Sequence, residues 1–159
     1  MAKDTKTNAM RIVENAGVAY REHLYECDGF TDGVTVSCIL GQDVEQVFKT
    51  LVAQGKSGGY CVFVIPVAEE LDLKKAANAA GEKNVEMIHV KDINRVTGYI
   101  RGGCSPIGMK KRYPTFIDET AQLFDTILVS GGRIGTQMEL APDDLCRLAE
   151  AKYVDLTKN

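Results

Sequence analysis

Histidine is scarce in this chain of 159 residues: only His23 and His89 occur. Neither stands in an HExxH pattern, and no Ser-His-Asp spacing or recognisable pair of carboxylates is present. The five cysteines, Cys27, Cys38, Cys61, Cys104 and Cys146, form an odd and widely spaced set without a CxxC. These absences argue against a structural zinc centre, a disulfide framework and a serine triad. Nothing asks for a metal or a cofactor.

Long apolar runs are missing too. No stretch approaches the roughly 20 residues needed to span a bilayer, and the run around YCVFVIPVA is interrupted by Pro66. The first ten residues, MAKDTKTNAM, hold no hydrophobic signal core. The expectation is a cytoplasmic protein, away from membranes, whose reduced cysteines act mostly as small apolar residues. Nor does one charge dominate. A net charge of −3 and a pI near 5.4 give no global footprint for nucleic acid. DNA is therefore not an expected partner, and any RNA contact needs a local basic patch.

What is present is ordinary globular material: 45% hydrophobic and 26% charged residues, enough for one domain over residues 1–159. Ala9, Ile12, Val13 and Ala16 follow helical spacing and Gly17 stops them. Residues 18–26 alternate, with Val18, Tyr20 and Leu24 sharing a face of a strand. CDGFTDGV reads as a loop. A short helix is expected over residues 35–40, ending at Gly41, and Asp43 with Gln46 resembles a capping box.

VFKTLVAQG is strand-like and turns at residues 55–59, while YCVFVIP reads as a central strand covered on both faces. Asp72 caps a helix with Leu73, Ala76, Ala77 and Ala80 on one stripe and Gly81 as its stop. A short strand over residues 85–88 and a short helix over 91–96 follow. TFIDETAQ, DTILVSGG and IGTQMEL read as strand pieces. Pro142 suits a first helical position, with Leu145, Leu148 and Ala149 as the apolar face. Strands and helices without a strict βαβ rhythm predict an α+β fold with a mixed sheet or barrel.

Four places can carry chemistry. Lys49 shares a strand face with Val47, Leu51 and Ala53, a row otherwise made for burial. It either lines a cavity for an anionic or carbonyl group, or sits at an edge and reaches solvent. The run YIRGGCSPIG has Gly102-Gly103 for close backbone approach and Pro106 to stiffen the exit. Its N–H groups can cradle an anion, or the run is a plain turn. Cys104 as a nucleophile lacks a base nearby in sequence.

SGGRIG at residues 130–135 does not have GxGxxG spacing, and the following TQMEL is strand rather than helix, so a dinucleotide loop is rejected. A Gly-rich corner offering Ser130 to a pocket remains. MKKRYP places Lys110, Lys111 and Arg112 beside Tyr113, suited to phosphates and a stacked base or simply to a solvated face.

The segments KTNAMRIVENAGVAY, GQDVEQVFKTLVAQGKSG, VFVIPVAEELDLKKAA, GYIRGGCSPIGMKKRYPTFID and ILVSGGRIGTQMEL together resemble the YbaK/EbsC family. Its members are free-standing relatives of the editing domain inserted into bacterial prolyl-tRNA synthetases. The resemblance covers almost the whole chain and looks most like the branch that deacylates Cys-tRNA(Pro). It implies an α+β fold with a mixed, mostly antiparallel barrel-like sheet surrounded by helices.

It also implies hydrolysis of the ester between a wrong amino acid and tRNA; the acidic pI predicts weak affinity for tRNA alone, so prolyl-tRNA synthetase is an expected partner. The family's essential lysine corresponds to Lys49. Its GxxxP substrate loop corresponds to Gly102 and Pro106, with Gly103, Cys104 and Ser105 between them. Tyr20 and Ser130 match positions expected near the pocket. The corner GGRIGTQ departs from the expected GGKRGLQ, Thr136 replacing an apolar residue. On this resemblance Lys49, Gly102 and Gly103 are the catalytic set, and the N–H groups of residues 103–105 face the ester carbonyl. The substrate's own thiol is the expected nucleophile. The competing expectation is a non-catalytic accessory that binds tRNA or a synthetase.

Overall fold

The structure, a computed structural model, describes residues 6–26 and 31–158. Five short α-helices surround two sheets among these residues. Local signals set the helix ends. Thr7 accepts a hydrogen bond from the Met10 N–H at the start of α1 (Asn8–Asn15), which buries Ala9, Met10 and Val13. Asp32 caps α2 (Gly33–Leu40), and Gly41 closes it in the left-handed conformation at φ 67°. Asp72 accepts from the N–H groups of Lys74 and Lys75 to start α3 (Leu73–Ala80). The short α4 (Ile93–Thr97) follows a 3-10 turn. α5 (Pro142–Ala149) has Pro142 in its first turn and buries Leu145 and Ala149.

The larger sheet runs β4 (Val85–Met87), β2 (Phe48–Gly55), β3 (Tyr60–Pro66), β5 (Thr115–Asp118) and β8 (Lys152–Val154). The smaller one runs β1 (Arg21–Leu24), β7 (Thr136–Leu140) and β6 (Ile127–Ser130). β3 to β5 and β5 to β8 are parallel; the other pairings are antiparallel. A parallel bridge from Val47 to Leu128 joins the two sheets. This is the mixed, mostly antiparallel α+β architecture expected.

β3 is central, as its unbroken apolar run predicts. On one face Val64 packs with Met10, Val13, Ile127, Val129 and Leu145; on the other, Phe63 and Ile65 pack with Ala76 and Ala77. Phe63 also stacks on Phe116 across the parallel pair, with ring centroids 5.6 Å apart.

Several local expectations differ from the structure. The first strand is confined to β1, and Leu24 stands 60% exposed instead of sharing a buried face. Asp43 caps a 3-10 turn, but the Gln46 amide donates to the Thr126 carbonyl at 2.8 Å rather than back to its own turn. ETAQ is a 3-10 turn, because Asp118 turns its carboxylate onto the Thr120 N–H and hydroxyl. β8 has no counterpart among the expected elements. It is three residues long and gains its place from β5 rather than from alternation. Part of the CDGFTDGV loop, including Cys27, lies outside the described residues.

Candidate active site

The edge of β2 opposite β3 is where a cavity opens. β4 pairs with that edge over residues 53–55, and among the described residues the backbone pairing to the smaller sheet is the bridge from Val47, just before β2, to Leu128. Residues 48–51 therefore have β3 on one side and no strand on the other. Backbone polar groups on such an edge need another partner. A cavity of about 450 Å³ lies against it, with six consecutive residues, Val47 through Val52, contributing to its wall.

Lys49 projects into this cavity from β2. Burial holds its ammonium below the ordinary lysine range, and Glu70 and Glu69 oppose that shift without cancelling it. The neighbouring Thr50 presents a buried Oγ1 with no hydrogen-bond partner among the described residues.

The far wall comes from the smaller sheet. Ser130, at the end of β6, pairs directly with Gln137 of β7, so their side chains share a face. Ser130 Oγ accepts from the Gly132 N–H at 3.1 Å, which leaves its own hydrogen to donate. Gln137 is 7% exposed and its Oε1 has no partner. Thr50 and Gln137, whose Oγ1 and Oε1 are buried without a hydrogen-bond partner among the described residues, thus both contribute to the wall of one cavity.

The third wall is the glycine loop. Gly102 and Cys104 line the cavity. Gly102 takes a left-handed φ of 84° and Gly103 presses on the backbone of the corner at Arg133. The Gly103 N–H is occupied by the Ile100 carbonyl at 2.9 Å. The N–H groups of Cys104 and Ser105 donate no hydrogen bond among the described residues. Behind them the loop is anchored: the Tyr99 hydroxyl donates to the Ile107 carbonyl at 2.8 Å, and Ser105 is fully buried.

Among the described residues, no histidine lines the cavity. His23 instead contacts Glu139 at 2.7 Å, on the smaller sheet. Burial pushes the Cys104 thiol up to about 11, with a hydrogen bond to Thr97 opposing this weakly. Cys104 is thus a protonated thiol near neutral pH, far from an activated nucleophile. The chemistry on offer is two cations, Lys49 and Arg101, the Asp32 carboxylate held as the α2 cap, neutral donors and acceptors, and the Cys104 N–H.

Residues 34–148 match the aminoacyl-tRNA editing domain. The chain belongs to this family. A candidate Cys-tRNA(Pro)/Cys-tRNA(Cys) deacylase, EbsC of Enterococcus faecalis, is 48% identical over 153 residues, spanning 96% of this chain and 93% of the relative. A candidate trans-editing enzyme for prolyl-tRNA synthetase shares the fold, with TM-score 0.81 and 24% identity over 98% of this chain and 99% of that one. The hypothetical protein APE2540 superposes with TM-score 0.86 and 21% identity, over 96% and 100% of the two chains.

Within this editing domain the structure brings Lys49, Gly102, Cys104 and Ser130 to one cavity. Gly103 and Ser105 support the loop from behind. Pro106 faces a different, smaller cavity. Tyr20 does not line the main cavity: it packs against the core, and its hydroxyl donates to Glu14 at 2.6 Å. Thr50, Gln137 and Arg101 line the cavity without having been singled out from sequence. Thr50 had a visible signal, a hydroxyl between Phe48 and Val52 on a face otherwise apolar. Gln137 had a weaker one, since TQMEL alternates too little to show which residues face inward.

Proposed function

We propose that this editing domain hydrolyses the ester joining cysteine to tRNA(Pro), and to tRNA(Cys), acting on the mischarged tRNA in trans. Family membership and the named relative support the reaction class. The observation that carries the mechanism is a cavity with a desolvated lysine, a free loop N–H at Cys104 and, among the described residues, no activated nucleophile or histidine base. Its volume of about 450 Å³ suits an aminoacylated nucleoside.

In this mechanism the cysteinyl carbonyl lies against the Cys104 N–H group, which stabilises charge developing on its oxygen. The Gly103 N–H, spent on Ile100, serves the turn instead. Lys49 adds positive potential and orients the terminal ribose. Thr50 and Gln137 accept hydrogen bonds from the α-amino group or the ribose hydroxyls.

The substrate thiol attacks its own carbonyl carbon: a carbon–sulfur bond forms and the carbon–oxygen ester bond breaks. The thiol proton passes to the departing ribose oxygen, and water then opens the cyclic thioester to free cysteine. Tethering the nucleophile supplies the rate. Serine and alanine esters are spared because a hydroxyl is a poor nucleophile near neutral pH and a methyl group is none. Prolyl-tRNA synthetase would hold the tRNA nearby and raise its effective concentration.

The test is a deacylation assay with purified protein on Cys-, Ser-, Ala- and Pro-tRNA(Pro), with and without synthetase. Cys-tRNA(Pro) is cleaved and the others persist. An S-methylated cysteinyl ester resists; its cleavage at the normal rate would remove the substrate-thiol step. No hydrolysis in any arm leaves the chain as a binding accessory.

A further inference from the structure

Lys110, Lys111 and Arg112 form the one run of three consecutive basic residues in the sequence. They line a separate cavity of about 260 Å³, together with Pro106, Tyr113 and an apolar floor that includes Ile12 and Leu148. Among the described residues, no aspartate or glutamate lines it. In a chain of net charge −3 this is a local basic surface of the kind a polyanion requires.

The surface is partly organised in advance. The Lys110 N–H donates to the Thr97 carbonyl at 2.9 Å, and its Nζ reaches the Arg95 carbonyl at 3.4 Å, so the stem lies along the end of α4. The Tyr113 hydroxyl donates to the Val96 carbonyl at 2.7 Å, and its ring meets Tyr60 edge-to-face at 5.8 Å. Arg112 pairs with Glu150 at 2.5 Å, but both side chains are about two-thirds exposed, at 64% and 65%. Such a pair exchanges readily for a stronger anion.

The cavity is also a neighbour of the candidate active site. Cys104 lines the one and Pro106 the other, two residues apart on the same loop. Two residues span at most about 7 Å.

We infer that this basic cavity is a second RNA contact: Lys110, Lys111 and Arg112 hold phosphodiesters of the tRNA strand next to the nucleotide whose ester occupies the main cavity. Tyr113 offers a fixed ring to a base of the same strand. The inference rests on the deacylase reading for the identity of the RNA. It adds where the strand runs once it leaves the reacting end.

The experiment measures binding without an ester. A deacylated RNA hairpin with a single-stranded 3′ end is titrated by fluorescence anisotropy across a salt series. Wild type is compared with the triple variant Lys110→Gln, Lys111→Gln, Arg112→Gln and with Lys111→Glu alone. Each phosphate contact contributes about 0.7 to 0.9 to the slope of log K against log salt, so the triple variant loses about two to three from that slope. Its Kd at low salt rises by roughly tenfold or more, and the KM for Cys-tRNA(Pro) rises with it. Lys111→Glu weakens binding in the same direction and guards against a folding defect in the triple variant.

Equal slopes and Kd values in all three proteins overturn the inference, as does a wild type with no RNA affinity. Loss of synthetase association with RNA affinity retained also overturns it, by assigning the surface to an acidic protein instead. Hydrolysis is scored separately. RNA binding that depends on these residues, without any deacylation, keeps the contact and sinks the deacylase reading alone.

Discussion

Gly103 lies so close to Arg133 that a methyl group on it would stand 2.8 Å from the Arg133 Cα and 2.9 Å from the Ile134 nitrogen. The glycine loop and the β6–β7 corner are therefore in backbone contact, and neither can shift without the other. Gly103→Ala must push them apart. Overpacking of this kind costs about 1–3 kcal/mol, a fall in Tm of roughly 2–4 °C per kcal/mol at this chain length. Deacylation should fall more than stability, because the displaced loop carries the Cys104 N–H group. Calorimetry alongside kcat/KM separates the two effects.

Lys49→Ala should lower kcat/KM by about 10²–10³, the range for losing a positioned electrostatic donor, while the protein stays folded. Wild-type rates in this variant would remove Lys49 from the mechanism.

The same lysine predicts a pH dependence of stability. Its folded pKa is below the ordinary 10.5 because burial disfavours the ammonium. Between the folded pKa and 10.5 the unfolded chain binds more protons than the folded one, so this contribution to stability rises with pH through that window. Below it the buried charge is a constant cost. Cys61, raised to about 11 by burial, acts in the opposite sense at high pH. The measurement is consequently a difference: urea unfolding of wild type minus Lys49→Met from pH 7 to 10. The lysine's share of the slope is absent in the variant.

Thr50 and Gln137 predict an exchange of activity for stability. Leaving a buried oxygen unpaired costs roughly 1–3 kcal/mol, so Thr50→Val should raise the Tm of the free protein by a few degrees. The same change removes an acceptor and should raise KM for Cys-tRNA(Pro). A variant with lower Tm and unchanged kinetics would show that the hydroxyl has no ligand to meet.

Cys104→Ser tests which thiol reacts. With the protein thiol held near 11, its thiolate fraction at neutral pH is on the order of 10⁻⁴. The variant should keep activity within about tenfold of wild type, against the losses of 10² or more seen on removing a true nucleophile. A collapse in rate would transfer the attack from the substrate to the protein.

Most of the helices were legible in the sequence because their ends are local chemistry: Thr7 and Asp72 as caps, Gly41 and Gly81 as stops. β2 and β3 were legible from the turn at residues 55–59 and from the apolar run between Tyr60 and Pro66. The misses are places where a distant partner decides. Gln46 matches a capping pattern yet bonds to Thr126, 80 residues away. β8 exists because β5 offers it an edge. In the site, Lys49 announced itself as a charge in an apolar row, whereas Gln137 became visible only once β6 set it opposite Ser130. Tyr20 shows the reverse case. Resemblance placed it near the pocket, and local geometry gives its hydroxyl to Glu14.

Backbone pairing between the two sheets is, among the described residues, the one bridge from Val47 to Leu128, and the cavity straddles it: Lys49 and Thr50 belong to one side, Ser130 and Gln137 to the other. The site is thus assembled from two sheets held to one another mainly through the apolar core they share. If the three-stranded sheet opens as a cooperative unit of its own, the site is dismantled while the five-stranded sheet keeps its hydrogen bonds. Activity would then fade on heating before the bulk of the amide protons exchange, and a bound tRNA end spanning the seam would act as the missing fastener.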